Sequence, residues 1–230
     1  MNIMREKLII ALAGAAAILL AYNLYNIFLV LPDEIAQGYM YRIIYFHVPA
    51  AWVGMIGFFA AMTLSVLYLA GGNFRYDSLA ASIVEVSVVF STVNLVTGSI
   101  WGRVQWGIWW TWDYRLTSQL VCVLTFAGYL MMRRAIDEPT QRARLSAALT
   151  IFGCFNVVIV WKSIEWFRNN HPGPVISFRT GGGKMDPAME HMLFLNFLAL
   201  TVVATALTLV RARQEATARE IDSLRRAAHV

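Results

Sequence analysis

Apolar positions along this chain fall in long unbroken runs, without the alternation of a half-buried strand or the one-sided stripe of a soluble helix. Six runs, at approximately residues 8–30, 48–70, 81–100, 116–132, 145–162 and 191–210, are separated by short polar connections. About 20 helical residues cross a hydrocarbon layer roughly 30 Å thick, so each run is long enough to span or nearly so. Backbone groups in lipid must be paired within their own segment, and runs that lack a period of two do not build a barrel. The pattern predicts an all-α fold: a polytopic membrane helical bundle with six transmembrane helices, forming a single domain over residues 1–230 with a polar tail at 211–230.

Composition agrees, with 58% hydrophobic and 14% charged residues, outside the range of soluble domains. Arg5 and Lys7 precede the first run as they would in a secretory signal, but the apolar stretch continues to Val30, which predicts a retained anchor. Charge then orients the bundle. With the N-terminus inside, the inner segments hold Arg5, Lys7, Arg75, Arg133, Arg134, Arg142, Arg144 and five tail arginines, twelve in all, against seven outside: Arg42, Arg103, Arg115, Lys162, Arg168, Arg179 and Lys184. Both termini are expected in the cytoplasm. The net charge of +5 reads as topology and inner-leaflet attraction, and no basic groove or motif suggests nucleic acid. Cys122 and Cys154 lie inside spans with no CxxC spacing, as buried apolar side chains do. Glu85 and Asn94 in the third span are expected to face the bundle interior, chiefly as packing contacts.

This topology sends the connections at 31–47, 101–115 and 163–190 to one membrane face. One of them carries WGRVQWGIWWTWDYRLTS, residues 101–118, with five of the chain's eight tryptophans in twelve positions. Treated as an interfacial helix, it places Trp106, Trp109, Trp110 and Asp113 on one side and Trp101 and Trp112 on another, beside Arg115. One or two tryptophans per span end would satisfy an ordinary interfacial belt. Five, with a carboxylate and a guanidinium attached, predict a platform for a planar apolar ligand.

Two histidines flank this platform. His47 lies in FHVPAAW, where Pro49 suits a first helical turn, which places the imidazole at the membrane surface. His171 lies in NNHPGPVISF, where two prolines and a glycine restrict the backbone. Either alone reads as an ordinary solvated or helix-end side chain. Together, beside the indoles, they suggest axial ligands to a haem. A zinc site fits less well, since a structural one needs four N or S ligands and no cysteine lies on this side. His191, at the start of the last span, is a rival ligand.

The tryptophan segment, YRIIYFHVPAAW and the six-span hydropathy together resemble the CcmC family of haem-handling membrane proteins in system I cytochrome c maturation. The tryptophan run is similar to the WWD signature of that group, and its WDxRLTS ending is closer to CcmC than to larger members. The resemblance implies haem b as cargo, ligated on the periplasmic side by His47 and His171. It also implies a WWD set of Trp101, Gly102, Trp106, Trp109, Trp110, Trp112, Asp113, Arg115, Leu116, Thr117 and Ser118. EWFRNNHPGP departs from the family pattern, with Phe167 where a second tryptophan often precedes the histidine.

Haem presents an apolar ring and two anionic propionates, for which Arg115, Arg103 and Arg42 are candidates, Arg115 and Arg42 foremost. Snorkelling or a headgroup contact is the alternative for each. Asp113 is expected to orient a histidine N–H or an arginine. TGGGKM at 180–185 is not a nucleotide-binding loop, so the chain is expected to be a transfer or export subunit and not an enzyme. The resemblance implies a bacterial inner-membrane location and several partners: a CcmE-like periplasmic haem chaperone, CcmA/CcmB ATP-binding-cassette subunits, a CcmD-like small membrane subunit and the lipid membrane. Competing readings are a transporter of another small solute, or a haem-containing electron-transfer protein. The tail RARQEATAREIDSLRRAAHV, with His229, is expected to form a solvated helix or a docking tail.

Overall fold

The computed structural model describes residues 3–167, 171 and 185–228, the side chain of Arg226 excepted. TGGGKM up to residue 184, most of the 163–190 connection and His229 lie outside the described residues. Six helices follow in order: α1 (Ile3–Tyr25), α2 (Ile44–Gly71), α3 (Phe74–Trp106), α4 (Tyr114–Ala135), α5 (Pro139–Trp166) and α6 (Pro187–Ala228). A wider π-type turn, Asn26–Val30, extends α1, and a tighter 3₁₀ turn, Tyr39–Ile43, leads into α2. All six elements are long and apolar enough to cross a membrane. The chain is a six-helix membrane bundle, and no strand occurs among the described residues.

Polar punctuation sets the helix ends. Gly72 adopts a left-handed φ of +67° and closes α2, with its N–H donating to the Tyr68 carbonyl at 2.7 Å. Asn73 accepts the Arg75 N–H at 3.0 Å and opens α3, so α2 and α3 are joined by a tight antiparallel turn. Glu138 caps α5 ahead of Pro139, and Asp186 accepts the Ala188 N–H at 2.8 Å ahead of Pro187.

The core lies among α2, α3, α4 and α5. Phe58 and Phe126 stack at 3.8 Å between centroids, surrounded by Val84, Tyr129 and Val157. Gly153 makes this possible, because a Cβ there would come within 2.9 Å of the Phe126 ring. Cys122 and Cys154 are buried and unbonded to each other, as the sequence suggests. Ile10, Ile18, Leu124, Met131, Phe152 and Phe155 are exposed on the outside of the bundle, where a membrane protein meets lipid.

Helix α1 packs antiparallel on α6. Arg5 donates to the Leu209 carbonyl at 3.1 Å at one end, and Asn23 donates to Asn196 at 3.1 Å at the other. Both termini therefore emerge at the same end of the bundle. That end is ionic. Asp77 of α3 is buried against Arg133 of α4 at 2.6 Å and against Arg219 of α6, and Glu215 bonds Arg133 at 3.3 Å. Glu85, expected to face the interior, is half-buried and pairs with Arg211 of α6 at 2.8 Å. The polar tail is thus a direct helical continuation of α6, clamped to the bundle up to Arg219.

Pro49 differs from the expectation of a first-turn proline, because it lies inside α2. A proline there leaves the carbonyl four residues earlier without its helical donor. Asn196 supplies the missing partner by donating to the Tyr45 carbonyl at 2.5 Å. The Asn23–Asn196–Tyr45 chain consequently ties α1, α6 and α2 together beneath the opposite end of the bundle.

Candidate functional site

At that opposite end a cavity of about 200 Å³ opens among α2, α3, the start of α4 and two connections. One helix face supplies most of its wall. Asn94, Gly98, Trp101, Gly102, Gln105 and Trp106 of α3 recur three or four positions apart and all line it. His47 comes from α2, Arg115 and Gln119 from α4, and Gln37 and His171 from the connections.

The two imidazoles face one another, with ring centroids 6.4 Å apart and planes inclined by 29°. A metal–imidazole bond is about 2 Å long, and two such bonds plus the two ring radii add up to a separation of this size. The separation is thus of the size that two imidazoles on one metal ion have. Among the described residues no cluster of three or more His, Cys, Asp or Glu side chains could hold a metal.

His47 is buried and not surface-lying, because α2 begins at Ile44 and takes it into the bundle. Its Nδ1 lies 3.0 Å from the Thr97 hydroxyl, and the Asn94 amide donates to its backbone carbonyl at 3.1 Å. The Trp101 ring meets it edge-on at 5.7 Å. Gly98 gives it room, since a Cβ at that position would approach the imidazole Cε1 to 2.9 Å. Trp101 is fixed in turn by its indole N–H, which donates to Gln37 Oε1 at 2.9 Å.

The tryptophan segment is not one helix. Gly107 takes φ +76° and ends α3, and residues 107–113 form an irregular connection between α3 and α4. Gly107 adopts the left-handed conformation without the penalty a side chain would bring, so the helical period stops there. The predicted aromatic faces therefore do not form. Trp101 and Trp106 stay on α3 and line the cavity. Trp109 and Trp112 are exposed, and Trp110 meets Trp112 edge-on at 5.7 Å. The Ser99 hydroxyl holds the connection by donating to the Trp109 carbonyl at 2.6 Å.

Asp113 caps α4, accepting the Leu116 N–H at 2.9 Å on one oxygen and the Thr111 hydroxyl at 3.1 Å on the other. It thereby sets the start of the helix that carries Arg115 into the cavity. Arg115 donates to the Val160 carbonyl at 2.6 Å, which links it to α5. Arg42 does not line the cavity. It bonds Asp33 at 2.9 Å and the Leu31 carbonyl at 2.8 Å, and lies over the Tyr39 ring, so it braces the 31–43 connection. Arg103 bonds the Gly107 carbonyl at the end of α3. His191 is exposed on α6, away from the cavity lining.

Sequence reading passed over Thr97, Gly98, Gln37 and Gln119, and took Asn94 for packing. The spacing of Asn94, Thr97, Gly98 and Trp101 carries the signal, as it marks one polar and small-residue stripe leading to the first tryptophan of the motif.

Comparison with known proteins bears on this arrangement. The profile of the CcmC family, described as heme exporter protein C, matches residues 1–227. A heme exporter protein C of Bradyrhizobium diazoefficiens is 35% identical over 213 residues, covering 93% of this chain and 80% of the relative. That of Escherichia coli (strain K12) is 34% identical over 183 residues, covering 79% and 73% respectively. A mitochondrial protein of Marchantia polymorpha, described as ccmC-like and connected with cytochrome c biosynthesis, is 30% identical over 191 residues, covering 83% and 81%.

Proposed function

The chain belongs to the CcmC family, heme exporter protein C, and on that premise we propose that it binds haem b as cargo at the periplasmic face of the bacterial inner membrane and hands it on for cytochrome c maturation. His47 and His171 are the axial ligands. The observation that carries this reading is their 6.4 Å separation within one cavity.

The other wall residues suit the remaining parts of the cargo. Trp101 and Trp106 offer indole surface to the macrocycle, and Arg115 offers a cation to a propionate. The cavity, about 200 Å³ as bounded by the described residues, is below the roughly 300–1,000 Å³ of sites that engulf a drug-sized ligand. In this reading the porphyrin is held at its metal by the two imidazoles and leaves part of the macrocycle outside the cavity. Trp109, Trp110 and Trp112, on the connection between α3 and α4, in this reading contact that outer part and the membrane interface. An exposed edge suits transfer to a CcmE-like haem chaperone. CcmA/CcmB and CcmD-like subunits complete the assembly in this reading, with both termini of this chain cytoplasmic.

The test is spectroscopic. Full-length protein in detergent, titrated with haem, should show the Soret band of six-coordinate haem. His47→Ala and His171→Ala should each convert it to a five-coordinate spectrum with weaker binding. A six-coordinate spectrum of wild-type intensity in both variants would remove the axial assignment.

A further inference from the structure

The contacts of His47 determine which of its nitrogens carries the proton. The Thr97 hydroxyl lies 2.7 Å from the Val93 carbonyl and 3.1 Å from that of Asn94, both on its own helix. Two oxygens at 2.7 Å need a hydrogen between them, and a carbonyl has none to give. The single hydroxyl hydrogen of Thr97 is therefore committed to the backbone of α3. Its oxygen, 3.0 Å from His47 Nδ1, can only accept. Nδ1 is accordingly the protonated nitrogen, and Nε2 keeps its lone pair.

Asn94 does not disturb this assignment. Its amide nitrogen is nearly equidistant from Nδ1 and Nε2, at 3.2 and 3.3 Å. A donor aligned with the Nε2 lone pair would lie in the ring plane, far from Nδ1. The amide therefore lies across the ring, while donating to the His47 carbonyl at 3.1 Å. Gly98 allows the imidazole to sit this close to α3.

We infer that Thr97 is a positioning residue for haem ligation: by accepting the Nδ1–H of His47 it fixes the tautomer and the ring orientation, so that Nε2 is the ligating atom. The inference rests on the haem-binding reading above. Metal-ligating histidines depend on such a partner for their second nitrogen, and losing it costs roughly 10–100-fold in metal affinity. Thr97 precedes the tryptophan motif and holds no ligand itself, so its part is visible only through the chain Val93 carbonyl, Thr97 hydroxyl, His47 Nδ1.

Two measurements on the full-length protein test this. In ligand-free protein with ¹⁵N-labelled histidine, NMR should show His47 with a protonated Nδ1 and an unprotonated Nε2, and Thr97→Val should lose that fixed pattern. In haem titrations Thr97→Val should bind roughly 10–100-fold more weakly, with its thermal midpoint near that of wild type, and Thr97→Ser should restore binding. A protonated Nε2 in the wild type overturns the inference, as does wild-type haem affinity in Thr97→Val. His47→Gly separates the two levels. If His47→Gly binds haem as well as wild type, the haem-ligand reading fails and the inference with it. If His47→Gly loses binding while Thr97→Val keeps it, only the inference fails.

Discussion

Gly98→Ala is a one-carbon test of the site's geometry. The new Cβ would lie 2.9 Å from His47 Cε1, whereas carbon atoms in contact sit at about 3.5–4.0 Å. The imidazole must therefore retreat by roughly 0.6 Å or more. Its 3.0 Å contact with Thr97 then stretches to about 3.6 Å, which is no longer a hydrogen bond. Losing that bond costs about 1 kcal/mol, and overpacking a tight site costs about 1–3 kcal/mol. Alanine in place of glycine within a helix returns about 1 kcal/mol. Stability should therefore change by no more than about 3 kcal/mol. The His47 imidazole, by contrast, has moved further than the roughly 0.5 Å a binding constellation tolerates, so on the proposed reading haem binding should weaken. A loss of about 1.4–3 kcal/mol in ligand binding is a 10- to 150-fold rise in Kd. The assay is a haem titration followed by difference absorbance, beside a thermal melt of the same sample. Wild-type Kd within twofold, with an unchanged Soret band, would refute the claim that Gly98 exists to admit His47.

The other predictions concern the scaffold. Asn196→Leu keeps the volume but removes the donor to Tyr45 and the acceptor for Asn23; the orphaned groups should cost about 1–3 kcal/mol, read as a lower thermal midpoint in detergent, and an unchanged midpoint would show that the Tyr45 carbonyl finds another partner. Asp77→Asn leaves Arg133 and Arg219 facing each other with only Glu215 for balance. Breaking a buried pair of this kind costs about 3–5 kcal/mol, and the α6 extension should become a target of limited proteolysis, whereas wild-type resistance would mean the network does not hold the tail.

The fold was legible because hydropathy reports the quantity that decides it, the length of apolar helix. Hydropathy does not report where hydrogen bonding stops, so helix ends and the ends of the apolar runs do not coincide. The second run begins at residue 48 by composition, yet α2 starts at Ile44, and that difference moves His47 from the surface into the bundle. The helical reading of the tryptophan segment failed at Gly107. The chain announces the break, with a glycine followed six residues later by an aspartate at an N-cap position, but the density of tryptophans drew a period across it. Site residues with distinctive chemistry, His47, His171, Trp101, Trp106 and Arg115, were legible and are brought together. Thr97 and Gly98 were not, because a hydroxyl and a missing side chain acquire meaning only against the ring they touch.

The two imidazoles stand on different kinds of element. His47 stands in the second turn of a helix, buried, and is enclosed by Asn94, Thr97, Gly98 and Trp101, all from the neighbouring helix α3. The wall behind it is a single rigid element, and such elements hold a ligand more precisely than connections do. His171 is half-buried and stands on the connection between α5 and α6, outside any helix. Moving His47 requires α2 to part from α3 along their packed interface. The exposed Trp109 and Trp112 lie on the connection between α3 and α4, so at this end a helical wall surrounds His47 while His171 and the exposed indoles stand on connections.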